Sequence, residues 1–220
     1  MRAVAILDDA RQAPARRPPG RPMSAQLSDQ LLTAALKILA KDGWEGLNAD
    51  RIAASAKAGK AGIYRRWPNM GALARQALGT VTLVEVPADS GSLAGDLHGL
   101  LMRWPQPLNR AERAAASLVG AAWHQDDVRL GLEEALVRPL GLAVGEIAAR
   151  EAARRRVPSP PRVAVLQSTL EALWWQRFTS LVARPSSPHQ VQQLIDLVLI
   201  PIVDPQPTAY RRAHEWDGRS

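Results

Sequence analysis

The chain contains no cysteine. That excludes a disulfide framework, a thiolate metal site and a cysteine nucleophile, and it makes the cytoplasm the simplest expected location. No window reaches 18 consecutive uncharged apolar residues, so no membrane-spanning helix is expected. At the N-terminus a short apolar run, Ala3 to Leu7, gives way at once to Asp8 and Asp9, too little for a secretory signal. The four histidines, His98, His124, His189 and His214, are scattered, and neither HExxH nor GxSxG occurs. No glycine-rich loop leads into a Lys followed by Ser or Thr, and no alternating run of period two marks a strand. The expectation is therefore no metal, no cofactor and no catalytic constellation.

What the chain does have is basic charge in one place. Residues 1–78 hold 13 Lys and Arg against 6 Asp and Glu, whereas residues 79–220 hold 15 against 15, so the whole excess of +7 lies in the first third. A charge divided in this way implies that one part meets a polyanion and the other does not. Within residues 1–23, Pro14, Pro18, Pro19, Gly20 and Pro22 stand among Arg11, Arg16, Arg17 and Arg21 with almost nothing to bury. This reads as a disordered basic arm, with Arg17 and Arg21 suited to a narrow DNA minor groove. The alternative is a plain leader, or a chain that starts at Met23.

The remaining pattern is helical. Leu32, Ala35, Leu36 and Leu39 recur at helical spacing, with Ser28 as a cap for the core of that helix and Gly43 as its end. Trp44 and Leu47 are expected to fold back onto its apolar face. Asn48 then caps a short helix with Ile52, Ala53 and Ala56 inward, Lys57 to Gly59 form a turn, and a second short helix runs from Lys60 to Trp67. Pro68 and Asn69 restart the chain as a longer helix to about Val86. Two short helices split by a tight turn form a helix-turn-helix, and its outward set is Lys57, Lys60, Ala61, Gly62, Tyr64, Arg65 and Arg66. Four cations, a phenol and two nearly bare positions make a face that can approach DNA closely.

Further helices are expected at about 92–104, 109–125, 127–156 with a bend near Pro139, 162–183 and 188–201, some nine in all. The basic run Arg154 to Arg156 is expected at a helix end facing solvent. Large rings, Trp104, Trp123, Trp174 and Trp175, recur in this half with Met102, Leu118, Leu170, Leu173 and Phe178. Most such rings fill cores.

The segment Ala61-Gly62-Ile63-Tyr64-Arg65-Arg66-Trp67-Pro68-Asn69, followed by Leu73 and preceded by Ala34 to Leu39, Lys41-Asp42-Gly43 and Ile52-Ala53, resembles the TetR/AcrR transcriptional regulators over about Asp29 to Leu78. The resemblance implies an all-α fold, with an N-terminal three-helix DNA-binding domain and a larger C-terminal helical ligand-binding and dimerisation domain. On this chain the corresponding limits are residues 24–78 and 79–204, with a polar tail at 205–220 that carries Trp216. It makes Tyr64 and Arg65 phosphate partners, and Lys60, Ala61, Gly62 and Arg66 candidates for base edges. Arg66 would be bidentate to a guanine, and Asn48 would present backbone amides to a phosphate. Two positions depart from the family pattern. Lys57 stands where Gly is frequent, and Met70 where many members have a phosphate-gripping Lys.

The resemblance further implies a homodimer on a palindromic DNA operator, joined through the last two helices, whose apolar faces include Leu166, Leu170, Leu173, Leu194, Leu197 and Val198. It also implies a small-molecule effector held between helices. Trp104, Trp123, His124 and Trp174 are the pocket candidates. A repressor released by its effector is the leading expectation; a sequence-tolerant DNA-binding protein and an all-helical enzyme are the alternatives.

Overall fold

The protein, a computed structural model, is described over residues 25–154, 156–180 and 186–204. The basic arm with Arg17 and Arg21, and the tail with Trp216, lie outside them. The described residues are helical and hold no strand. None of their helices is long and apolar enough to cross a membrane.

Helix α1 (Ala25–Asp42) buries Leu31, Leu32, Ala34, Ala35, Leu36, Ile38 and Leu39 along one stripe. Gly43 ends it in the left-handed region at φ 73°, where only glycine is unstrained. Ser28 lies inside the first turns of this helix rather than capping it, because the helix begins three residues earlier. Leu47 is buried, and Trp44 packs half-buried on the same core. Helices α2 (Ala49–Ala56) and α3 (Lys60–Tyr64) then add Ile52, Ala53 and Ile63 to the same core, α2 packing on α1 and α3 on α2. Complete burial of each isoleucine stabilises the head by about 1.5–3 kcal/mol.

Helix α4 (Met70–Leu78) is shorter than its apolar pattern suggests. It stops at Gly79; the Thr80 hydroxyl donates to the Ala77 carbonyl at 2.7 Å, and the chain runs on without helix to Gly91. Glycine followed by Val81, Thr82, Val84 and Val86 has low helix propensity, and Leu83 and Val84 reach burial from non-helical backbone instead.

The body contains α5 (Leu93–Leu101), α6 (Arg110–Ala116), a 3-10 turn at Ala121–Trp123, and a long rod formed by α7 (Asp126–Leu132) and α8 (Arg138–Ala153). Helix α9 (Pro160–Thr179) follows, and α10 (Pro188–Leu194) with α11 (Ile200–Val203) forms the last rod. Each jointed rod is joined by a π turn, Glu133–Val137 or Ile195–Leu199. In each, the final wide bond, from Arg138 N–H to Glu133 O and from Ile200 N–H to Ile195 O, falls immediately before a proline. Pro139 and Pro201 cannot donate to the carbonyl four residues back and crowd it, so the ladder widens by one residue and continues. Counted with their π turns, the rods among the described residues number nine, as expected.

One continuous hydrophobic core runs through the molecule. Helix α1 packs on α6 and α4 on α7, so the N-terminal helices rest broadly on the body. The loop before α5 is pinned by ions. Asp96, fully buried, accepts from the Ser90 N–H and hydroxyl, each at 2.8 Å, and from Arg154 at 3.3 Å. Arg154 also binds Asp89 and the buried Glu151. Arg154 is thus the clamp of a buried carboxylate cluster and not a solvent-facing helix end; Arg156 alone of that run is described as exposed.

Candidate nucleic-acid interface

Each end of the turn-helix unit is closed by a local device. The Asn48 side chain accepts from the Arg51 N–H at 3.0 Å and caps α2. The Asn69 side chain accepts from the Ala72 N–H at 2.7 Å and caps α4. Between α2 and α3 the chain reverses at Lys57, the single non-glycine residue with positive φ among those described (φ 52°, ψ 43°). The left-handed backbone that glycine would take freely is therefore kept by a lysine, at a strain of about 1 kcal/mol. Ala58 N–H and Lys57 N–H both return to the last carbonyls of α2, the first to Ala53 O at 2.9 Å. Ile63 and Trp67 anchor α3 from beneath, and the Trp67 indole N–H donates to Gln76 of α4 at 2.6 Å.

With those anchors in place, Asn48, Lys57, Lys60, Ala61, Tyr64 and Arg65 are exposed, Tyr64 by 58%. Gly62 is half-buried. The cations on this face are not equivalent. Lys60 is paired with Asp50 of α2, whose hydrogen bond and charge raise the pKa of its ammonium. Lys57 and Arg65 make no ion pair among the described residues. Arg66, expected at a guanine, is turned inward: its Nε–H donates to Ser28 Oγ at 3.0 Å and an Nη–H to Gly62 O at 2.8 Å. In this conformation it braces α3 against α1, with two of its five N–H donors engaged within the head. Met70 is half-buried against the core. Neither the Asp50–Lys60 pair nor the Ser28–Arg66 brace had a signal in the sequence, since both join residues on different helices.

Residues 31–77 match the family of bacterial regulatory proteins, tetR family, and residues 87–198 match the tetracyclin repressor-like C-terminal domain. The second match alone covers about half of the chain. The chain belongs to the TetR family.

It is accordingly a transcriptional regulator with a helix-turn-helix DNA-binding domain. The chain is 28% identical over 184 residues to the DNA-binding transcriptional repressor TetR of Mycobacteroides abscessus, covering 81% of this chain and 94% of that protein. It is 41% identical over 69 residues to an uncharacterized HTH-type transcriptional regulator of Mycobacterium tuberculosis, a match covering 31% of this chain and about a third (34%) of that protein's length. A solved transcriptional regulator from Rhodococcus sp. Rha1 shares the fold at a TM-score of 0.56 and 17% identity, over 80% of this chain and 95% of its own.

Helix α4 joins this TetR-family head to the body through a polar clasp. The Asn69 amide donates to Asp127 at 3.1 Å, and Arg75 grips Glu134 with two nitrogens, Nε at 2.8 Å, with Asp127 at 4.0 Å. Each partner favours the ionised form of the other: Arg75 holds the Glu134 carboxyl below its ordinary range, and the Arg75 pKa is raised. Glu134 lies on the π turn before Pro139. Beside the clasp is a cleft of about 540 Å³ lined by Arg66, Trp67, Gln76, Thr80, Asp127 and Glu134.

The four effector-pocket candidates do not come together. Trp104 and Trp174 are buried and meet edge to face, ring centres 5.3 Å apart. Trp123, 83% exposed, and His124, also exposed, sit on the surface at the 3-10 turn after α6. Met102 is likewise exposed, because α5 ends one residue before it and turns the chain outward. On the last helices Leu166 and Leu170 fill the protomer's own core, whereas Val165, Leu197 and Val198 are exposed.

Proposed function

We propose that this TetR-family regulator is a cytoplasmic homodimeric repressor that covers a palindromic operator and is released by a small-molecule effector bound in its helical body. The observation that carries the reading is the clasp. Residues 24–78 act as the reading head, and the head hangs on α4, which Arg75 and Asn69 lock to α7 and its π turn. A change in the packing of residues 79–204 therefore reaches α3 through a rigid element. An effector that binds the altered packing more tightly shifts the pair of heads away from operator spacing; one with equal affinity for both states shifts nothing.

On DNA, Lys57, Tyr64 and Arg65 meet phosphates, as do the amides beside Asn48, while Lys60, Ala61 and Gly62 face base edges. Arg17 and Arg21 of the arm enter the adjacent minor groove. The exposed Val165, Leu197 and Val198 support pairing through the last helices, which holds two half-sites at fixed spacing. The repressor named among the relatives supports the sign of regulation.

Fluorescence anisotropy at about 150 mM salt, with the chain's own upstream DNA against a scrambled duplex of equal length, tests the first half. A preference of roughly a thousandfold or more is expected. Equal affinity for the two would replace this reading with sequence-tolerant DNA binding. Operator affinity unchanged under a saturating bound ligand would defeat the switching half.

A further inference from the structure

The loop between α5 and α6 is tied to α9 by one side chain, Arg177. Arg177 of α9 donates to the carbonyls of Arg103, Trp104 and Gln106 at 3.4, 3.2 and 3.1 Å, and its guanidinium lies 5.9 Å from the centre of the Trp104 ring. Trp104 in turn rests on Trp174, one turn before Arg177 on the same helix. Three donors in this cluster are sealed from solvent and have no partner among the described residues: the indole N–H of Trp104, the indole N–H of Trp174 and the Nε–H of Arg177.

We propose that residues 102–109 form a lid over the effector site, and that the effector is a largely apolar molecule carrying a carbonyl or carboxylate oxygen that accepts from these three donors. The inference rests on the effector-bound reading above and names the chemistry of its ligand. Buried polar groups in native proteins are almost always paired, so three unpaired donors around two rings that meet edge to face mark a place built for an acceptor. A donor-bearing or cationic ligand is disfavoured for two reasons. Arg177 repels a cation. Glu112, the buried carboxylate beside it, is already engaged by the Asn109 N–H at 2.7 Å, by Arg177 at 3.4 Å and by Arg103 at 3.9 Å. The ring centres lie 5.3 Å apart and the guanidinium 5.9 Å from the Trp104 ring, so the three donors belong to side chains of one cluster. Entry requires Arg177 to release the loop carbonyls, which ties occupancy of the site to the position of the loop between α5 and α6. Helix α6 is also a support of α1, so movement of this loop has a direct route to the reading head.

The test uses the full chain labelled with 15N-tryptophan and three probes that share one apolar body: 2-naphthoate, naphthalene and 2-naphthylmethylamine. The Trp104 and Trp174 indole resonances are assigned with W104F and W174F. The expected result is saturable binding of 2-naphthoate that moves both resonances, no binding of the amine, and affinity lowered about tenfold by each Trp→Phe change and by R177K. Equal binding of all three probes, no saturable binding of 2-naphthoate, or binding that leaves both resonances in place would overturn the proposal. The wild-type resonance shifts decide the matter even where a variant is unstable. If another compound releases operator DNA without moving either resonance, this site is wrong and the ligand-released repressor stands. If 2-naphthoate moves both resonances yet leaves operator affinity unchanged, the site stands and the switching reading falls.

Discussion

Two glycines on the α7–α8 rod present the same substitution in opposite surroundings. A Cβ built on Gly131 would stand 2.9 Å from Arg75 Cα and 3.2 Å from its Cβ, so the clash is with the α4 backbone and not with a movable side-chain tip. A Cβ on Gly145 would meet nothing within 4 Å. Alanine in place of glycine inside a helix gains about 0.8–1.0 kcal/mol of intrinsic propensity at either site. At Gly131 this gain is opposed by overpacking of about 1–3 kcal/mol, because α4 must lift from α7. Gly145→Ala is therefore expected to stabilise the protein by about 1 kcal/mol, and Gly131→Ala to destabilise it by about 1 kcal/mol. For a chain of this size roughly 2–4 °C accompanies each kcal/mol, so the two variants should melt about 4–8 °C apart. Calorimetry and urea unfolding at one protein concentration give the comparison, the fixed concentration being necessary for any oligomer. Gly131→Ala should also weaken operator binding, since the displaced α4 carries Arg75 away from Glu134. If the two variants are equally stable, the close approach of α4 to α7 is not real and the clasp loses its basis.

Three further outcomes follow from the interface and the buried ions. Lys57→Gly relieves left-handed strain and should raise stability by up to about 0.5 kcal/mol, after the extra flexibility that glycine gives the unfolded chain, while the salt dependence of DNA binding becomes shallower by about one unit. A stability loss in urea unfolding would contradict the strain. Asp50→Asn frees Lys60 from its partner and removes a negative charge from the face, so anisotropy should show tighter DNA binding; an unchanged affinity would mean that Lys60 does not reach the DNA. Burial alone would push the Asp96 carboxyl up, but hydrogen bonds from Ser90 and then Arg154 outweigh it and hold it below its usual value. Because the folded pKa is depressed, its contribution to stability is present above the unfolded carboxylate pKa of about 4 and is lost as pH falls through the lower folded value. Asp96→Asn should flatten that acid limb, and urea midpoints that fall in parallel for wild type and variant would refute it.

The reading head was largely open to sequence reasoning because its determinants are local. Asn48, Asn69 and Gly43 act within a turn of the helices they bound, and Ile52 and Ile63 are spaced for burial by the helical period alone. Where residues far apart in the chain decide, pattern was insufficient. Ser28 and Arg66 lie 38 residues apart, and Arg154 meets Asp96 across 58. Nothing in a composition window distinguishes a brace from a base reader, or a carboxylate clamp from a solvated helix end. The apolar pattern runs on past the end of α4 because Leu83 and Val84 continue the apolar content, while Gly79 and the β-branched residues remove the helix.

Charge asymmetry, helical periodicity and capping residues thus determined an all-helical chain with a basic helix-turn-helix at its front, since each acts through neighbours in the chain and through the sign of the field. Tertiary structure alone decided which cations remain available on the reading face, which tryptophans meet, and how α4 is fastened to the body. Those outcomes depend on contacts between helices distant in sequence, where a single hydrogen bond to Ser28 or a missing Cβ at Gly131 selects between arrangements that the local pattern permits equally.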